Sequence, residues 1–278
     1  MPAFPVPYLL KFLSAVIAVL AVSQPALAQM QVASQRDDME LRATTDLPQN
    51  PTPPTSTSNC GTWPAEIETA AGQSVASAGW TIIDEFEIGA FTFVSFAGQV
   101  TARDGMRCLF ENGHVGIFSG ADIVALASTA AGSERAIGSI EILPDQGGVR
   151  IFDGNYHAFP MADLRVQGGN MAVLGPLAAR DSFCGGRIEV PGMYGQPIHE
   201  ARALLLSEGW IPSEQSEEYA SDAADRRYDF PEFLECYEDS CSFEYARADD
   251  QTVLHVSTDE TRQDSVLPPV SYYGVDCE

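Results

Sequence analysis

Between residues 104 and 170 the chain meets a turn signal every few residues. These are Asp104-Gly105, Asn112-Gly113, Ser119-Gly120, Asp145-Gln146-Gly147-Gly148, Asp153-Gly154-Asn155 and Gly168-Gly169-Asn170. Such spacing leaves no room for long helices. The intervening runs, Ile123–Leu126, Ile137–Leu143, Val149–Phe152, Leu164–Val166 and Met171–Leu174, are apolar and rich in β-branched residues. Short strands separated by turns at roughly 8–12-residue spacing predict an antiparallel sandwich or small barrel. Asn112-Gly113 is the strongest hairpin signal, because a type I′ turn needs positive φ at both central residues.

Ahead of these strands, residues 65–78 read as one helix, with Ile67, Ala70, Ala71 and Val75 at helical spacing and Gly79 just past its end. Trp80–Ile83 and Ala90–Phe96 then read as strands. In the second, Phe91 and Phe93 point to one face and Val94 and Phe96 to the other, so the strand is expected at the centre of its sheet.

The first residues carry the pattern of an export signal. Lys11 precedes the apolar run Phe12–Val22, Pro25 follows, and Ala26-Leu27-Ala28 offers small residues where a signal peptidase reads. Residues 1–28 are therefore read as a signal peptide, with Gln29 as the first mature residue. No later segment reaches the ~20 apolar residues of a membrane helix. Residues 29–59, ending in a Pro/Thr/Ser-rich run, read as a disordered linker. The chain holds 39 acidic residues against 15 basic ones, a formal charge of −24, and its single Lys lies in the signal segment. A field of that sign repels nucleic acid and anionic membrane surfaces.

Six cysteines, Cys60, Cys108, Cys184, Cys236, Cys241 and Cys277, follow the signal segment. An even number in an exported chain favours disulfides over metal ligation. Cys236 and Cys241 bracket a short loop, Cys184 and Cys277 bracket the last stretch of chain, and Cys60 and Cys108 remain as a third pair.

Residues 184–278 change character. Pro197–Glu208 is a well-marked helix, with Pro197 at its first turn, Ile198, Ala201 and Leu205 on one face, and Gly209 after it. Strands are expected at Cys241–Ala246, Thr252–Ser257 and Val270–Val275. A helix followed by antiparallel strands is an α+β unit.

Val190, Pro191, Gly195, Glu200, Ala201, Arg202, Leu205, Gly209 and the apolar Trp210 fall in the register of the opening of a PASTA domain, which this segment resembles. The likeness spans residues 190–210. Beyond them the family's short β tail is replaced by an acidic loop and the Cys236–Cys241 segment. The resemblance implies a small α+β fold and a noncatalytic extracytoplasmic module, with cell-wall material as a ligand. A fainter internal echo pairs Gly79-Trp80 with Gly209-Trp210, each a helix end running into a strand.

Chemistry is sparse. His114, His157, His199 and His255 show no metal-ligand spacing and no nucleophile elbow. His114 reads as the residue after a hairpin turn, and His255 as part of a strand face. The acidic run from Glu214 to Asp239 lacks the ligand alternation of an EF-hand loop. Within it Tyr219, Tyr228, Phe230, Phe233 and Tyr237 either pack on the last sheet or form an exposed aromatic contact surface. No cofactor or metal is called for.

The expected organisation is α+β. A mostly antiparallel β domain over 60–183 is followed by a small PASTA-like α+β domain over 184–278. The expected function is that of an exported, periplasmic or secreted, noncatalytic binding module. Its partner would be cell-wall material or another envelope protein, with no nucleic acid and no membrane after signal cleavage. A hydrolase of envelope glycan or peptide, working through paired carboxylates, is the alternative.

Overall fold

A computed structural model describes residues 30–52, 67–103, 107–133, 135–154, 159–213, 230–237, 240–248, 252–259 and 267–277. The protein is mostly β, with seventeen strands and two helices among the described residues. No helix among them is long and apolar enough to cross a membrane.

One sheet runs in the order β2 (Met39–Ala43), β6 (Asp122–Thr129), β5 (Arg107–Ser119), β4 (Phe91–Arg103) and β3 (Thr81–Ile88), all antiparallel. A second runs β1 (Gln31–Ser34), β10 (Met171–Gly175), β9 (Pro160–Gln167), β8 (Gly148–Asp153) and β7 (Ile137–Ile142). The two sheets share a core in which Phe93, Val115 and Ile117 of the first meet Ile140, Ile151 and Leu164 of the second. The first sheet is buried on both faces. Its other side carries Val94, Phe96, Phe118 and Leu126 against helix α1 (Ala70–Ser77) through Ala71 and Val75. β4 is covered on both faces, with Phe93 facing one layer and Val94 and Phe96 the other, as its two-sided apolarity predicts, but the middle place in the sheet belongs to β5.

Four expectations need correction. The segment read as a linker supplies β1, parallel to β10, and β2, antiparallel to β6, so its first half belongs to the sandwich. Met30, Met39 and Leu41 supply apolar contacts there, and the bidentate Arg36–Asp38 pair (2.8 and 2.7 Å) sits between the strands. Charged residues had diluted the alternation. Secondly, Asn112-Gly113 is not a hairpin turn. Asn112 has φ 53° but lies inside β5, and the reversal between β4 and β5 falls at residues 104–106, outside the described residues. Gly113 is required because a Cβ would come within 1.7 Å of the Ile137 carbonyl oxygen, where β7 crosses β5. Phe110 N–H donates to Gly154 O at 2.9 Å nearby, so the long β4–β5 hairpin links the two sheets.

Thirdly, α1 starts at Ala70, later than expected. Thr69 is extended and caps the helix, its hydroxyl accepting from Gly72 N at 3.0 Å and donating to Glu85 at 2.6 Å. Lastly, part of the acidic loop is a strand, β14 (Phe233–Tyr237).

The C-terminal sheet runs β13 (Trp210–Pro212), β15 (Ser240–Arg247), β16 (Val253–Asp259) and β17 (Val270–Asp276), with β14 also on β15. Helix α2 (Ile198–Ser207) lays Ile198, Ala201 and Leu205 on it. Gly79 and Gly209 end the two helices with φ of 84° and 86°, and each leads into a buried Trp. The hairpin β11 (Arg180–Phe183) and β12 (Ile188–Pro191) adds Phe183, Ile188 and Val190 to the same core. A division between 183 and 184 cuts this hairpin, and the packing places all of it with the C-terminal unit.

Cys184 is bonded to Cys277, and Cys236 to Cys241, the pairings expected from their positions. Cys108 is buried in a cluster with Ile83, Val100 and Phe110. Cys60 lies outside the described residues, so the third expected pair does too.

Candidate functional site

Two places gather chemistry: the junction between sandwich and C-terminal unit, and the open side of the C-terminal sheet. At the junction Arg150 projects from the outer face of the second sheet and is almost wholly buried. Its guanidinium donates to both oxygens of Asp163 (2.8 and 3.2 Å) on the neighbouring strand and to both oxygens of Asp181 on β11 (each 2.8 Å). Tyr273 Oη donates to Asp181 at 2.5 Å and Ala178 N to Asp163 at 3.0 Å. The Tyr194 ring lies over the guanidinium, 4.9 Å to its centroid. The guanidinium lies between the two carboxylates, and burial raises Tyr273 and Tyr194 so that each hydroxyl keeps its proton. Every partner of this cluster is satisfied from within. It joins two units and has no vacancy for a ligand.

Among the described residues, the C-terminal sheet is packed on one side, against α2. Along β15 to β17 the buried positions Phe243, Tyr245, Leu254, Val256 and Tyr273 face α2, and the alternate positions face outward. Register places Glu244 beside His255 and His255 beside Gly274, with Ser242, Ser257 and Tyr272 in the next row. Tyr272 is 48% exposed. A Cβ on Gly274 would meet its hydroxyl at 2.9 Å and its ring at 3.4 Å, so the ring lies along the sheet above that glycine. Tyr237, 75% exposed, and Ile211, 47% exposed, belong to the same face through their partners Ser240 and Ala246. His255 Nε2 is 3.0 Å from Asp276 and Nδ1 is 3.8 Å from Glu244. The carboxylates flank opposite ring nitrogens, which orients the imidazole but does not converge on one ion.

The expected aromatic surface therefore divides. Phe230 and Phe233 pack against Phe243, at centroid distances of 6.5 and 5.7 Å, and only Tyr237 of the described members is open. Tyr219 and Tyr228 lie outside the described residues. Sequence reasoning missed Tyr272. The signal was the adjacent pair Tyr272-Tyr273 in a strand, where period two sends one ring inward and the other out.

One histidine, His114, differs from expectation. His114 is mid-strand and partly buried, bonded to Ser128 Oγ at 2.8 Å and packed at 5.1 Å on Trp80. Burial first, then the Arg42 charge, depresses its pKa to about 4. His199 is half exposed on α2, and His157 lies outside the described residues.

A shallow groove of about 520 Å³ lies beside α1, lined by Thr45, Leu47, Gln73, Ser74, Asp122 and others. It carries a single carboxyl. Elsewhere Asp84 accepts from Ile140 N at 3.0 Å, tying β3 to β7, and burial raises its pKa to about 6. Glu141, next to Ile140, is raised too. As a residue it is exposed, yet desolvation of its carboxyl outweighs the attraction of Arg150, and Asp84 adds to the rise. No group of three or more potential metal ligands occurs among the described residues. Comparison of the chain with protein-family models, with curated proteins and with solved structures gives no match.

Proposed function

We propose that this chain is an exported, noncatalytic binding module, periplasmic or secreted, whose C-terminal unit is PASTA-like. Its contact surface is the open face of the C-terminal sheet, and its partner is cell-wall material or another envelope protein. The observation that carries the reading is that face itself, where Tyr237, Ile211 and Tyr272 stand exposed on the side of the sheet away from α2. Rigid aromatic rings with nearby carboxylates and hydroxyls suit both stacking and hydrogen bonding to a polar ligand. Two disulfides fit an oxidising compartment.

The test is capture of the protein by isolated peptidoglycan sacculi, at low and high salt, beside Tyr272→Ala. Salt-resistant capture that the substitution abolishes is the expected result. Capture that Tyr272→Ala leaves unchanged would move the contact elsewhere. A point variant is preferable to deleting the C-terminal unit, because deletion would strip Tyr194 and Tyr273 from the buried Arg150 cluster.

The hydrolase reading has one observation in its favour, the two neighbouring raised carboxyls Asp84 and Glu141. It predicts that purified protein cleaves sacculi and that Glu141→Gln abolishes the cleavage.

A further inference from the structure

The chemistry of the open face narrows the partner class. This step rests on the reading of that face as the contact surface. We propose that the outer face of the C-terminal sheet docks an extended, basic polypeptide segment. Among the described outward positions of the sheet the acidic groups are Glu235, Glu244, Asp276 and the buried Asp259, against His255 as the basic one. Over the whole chain acids outnumber bases 39 to 15. A second copy of the chain would bring the same sign of charge to the same face. Anionic polymers are disfavoured for the same reason, whereas an Arg- or Lys-bearing segment is attracted from a distance and complemented on contact.

Geometry agrees with an extended occupant. Tyr237 and Tyr272 stand on outer strands of the sheet with β15 and β16 between them, about 14 Å apart across the strands. About five residues of extended chain cover that span once the offset along the strands is included. The Tyr272 ring lies beside Gly274 and is 48% exposed, an aromatic side chain that a guanidinium or ammonium can approach. Glu244 and Asp276, flanking His255, supply acceptors beside that ring. Both rings are held by what lies beneath. Tyr237 leaves a hairpin stapled by Cys236–Cys241, and Tyr272 precedes the buried Tyr273. A preorganised surface loses little freedom on binding.

The experiment titrates a fluorescent nona-arginine peptide into the full chain at low and at physiological salt. Four variants are compared: Tyr272→Ala, Tyr272→Phe, the double change Glu244→Gln with Asp276→Asn, and a control. The control, Glu40→Gln with Asp122→Asn, removes the same charge from exposed positions on the sandwich. Circular dichroism checks that each is folded. Tyr272→Ala and the site double variant are expected to weaken binding about fivefold each, with Tyr272→Phe and the control within about twofold of the parent. Equal losses in site and control variants would show charge-driven association without a site, and would overturn the proposal. Absence of peptide binding would overturn it as well. If sacculi capture is then still abolished by Tyr272→Ala, the face binds glycan and the broader function stands. Peptide binding with no sacculi capture supports the proposal and removes only the cell-wall partner.

Discussion

Asp84 and His114 sit on the same sheet, and burial disfavours the charged form of each, raising the one and lowering the other. Their linkage to stability has opposite signs. Asp84 is raised above its ordinary 3.8 to about 6, so its contribution is full below pH 4 and is lost as pH rises through 6. His114 is lowered from 6.5 to about 4, so its contribution is present above 6.5 and is lost as pH falls through 4. Between pH 4 and 6.5 the two slopes oppose. Relative to the parent, Asp84→Asn is expected to be more stable at pH 7, by about 1–2 kcal/mol, with the advantage gone near pH 4. His114→Gln should gain on the parent as pH falls over the same range. Urea titrations at half-unit pH steps read both; parallel profiles for parent and variants would refute the assignment. Neither residue was legible in this role. A lone Asp in a strand and a His after an apparent turn look like surface, and only the packing of β7 and Trp80 shows otherwise.

At the level of elements, the strands from β6 to β10 were readable because turn chemistry and apolar runs agree there. The helices were readable from their glycine stops, Gly79 and Gly209. What failed has a common cause: a local signal served a tertiary purpose. Asn112 supplies the positive φ of a turn, but β5 uses it where β7 crosses, so the neighbouring Gly113 is fixed by steric approach. Gly113→Ala is therefore expected to cost about 3 kcal/mol or more, since the obstructing atom is backbone and cannot rotate away. Gly120→Ala, where φ is 63° and no atom lies within 4 Å, should cost only about 1 kcal/mol. Chemical denaturation separates them; similar losses at both sites would mean that the close approach to Ile137 is relieved. β2 escaped notice because Glu40 and Arg42 at alternate positions masked its short apolar period, β1 because its four residues, Gln31–Ser34, carry too little apolar pattern, and β14 because it sits in an acidic stretch.

For the molecule as a whole, the Arg150 cluster fixes how the two units meet. Asp163 comes from the sandwich, Asp181 and Tyr273 from the C-terminal unit, and the Cys184–Cys277 bond ties β11–β12 to the end of β17. Removing one member leaves buried charge uncompensated. Arg150→Met, which leaves two facing carboxylates, is expected to destabilise by about 3–5 kcal/mol. Arg150→Lys should not restore the parent, because an ammonium cannot make four bonds in a planar fork. A loss below about 1 kcal/mol in either variant would mean that the units are held by apolar contacts alone. The face that carries Tyr272 lies on the opposite side of the same sheet from Tyr273 and this cluster, so its position relative to the sandwich is set by Arg150.

The pairing of β1 with β10 also has a consequence for the order of events in folding. A chain that emerges amino end first delivers Gln31–Ser34 early, but the strand it zips onto ends at Gly175. Until that point has emerged, β1 is an unpaired strand whose backbone donors and acceptors are open to any neighbouring chain. Its composition suits the wait. Arg36, Asp37 and Asp38 follow at once, and charge beside an unpaired strand discourages adventitious pairing. The sandwich is thus completed by its first strand nearly last.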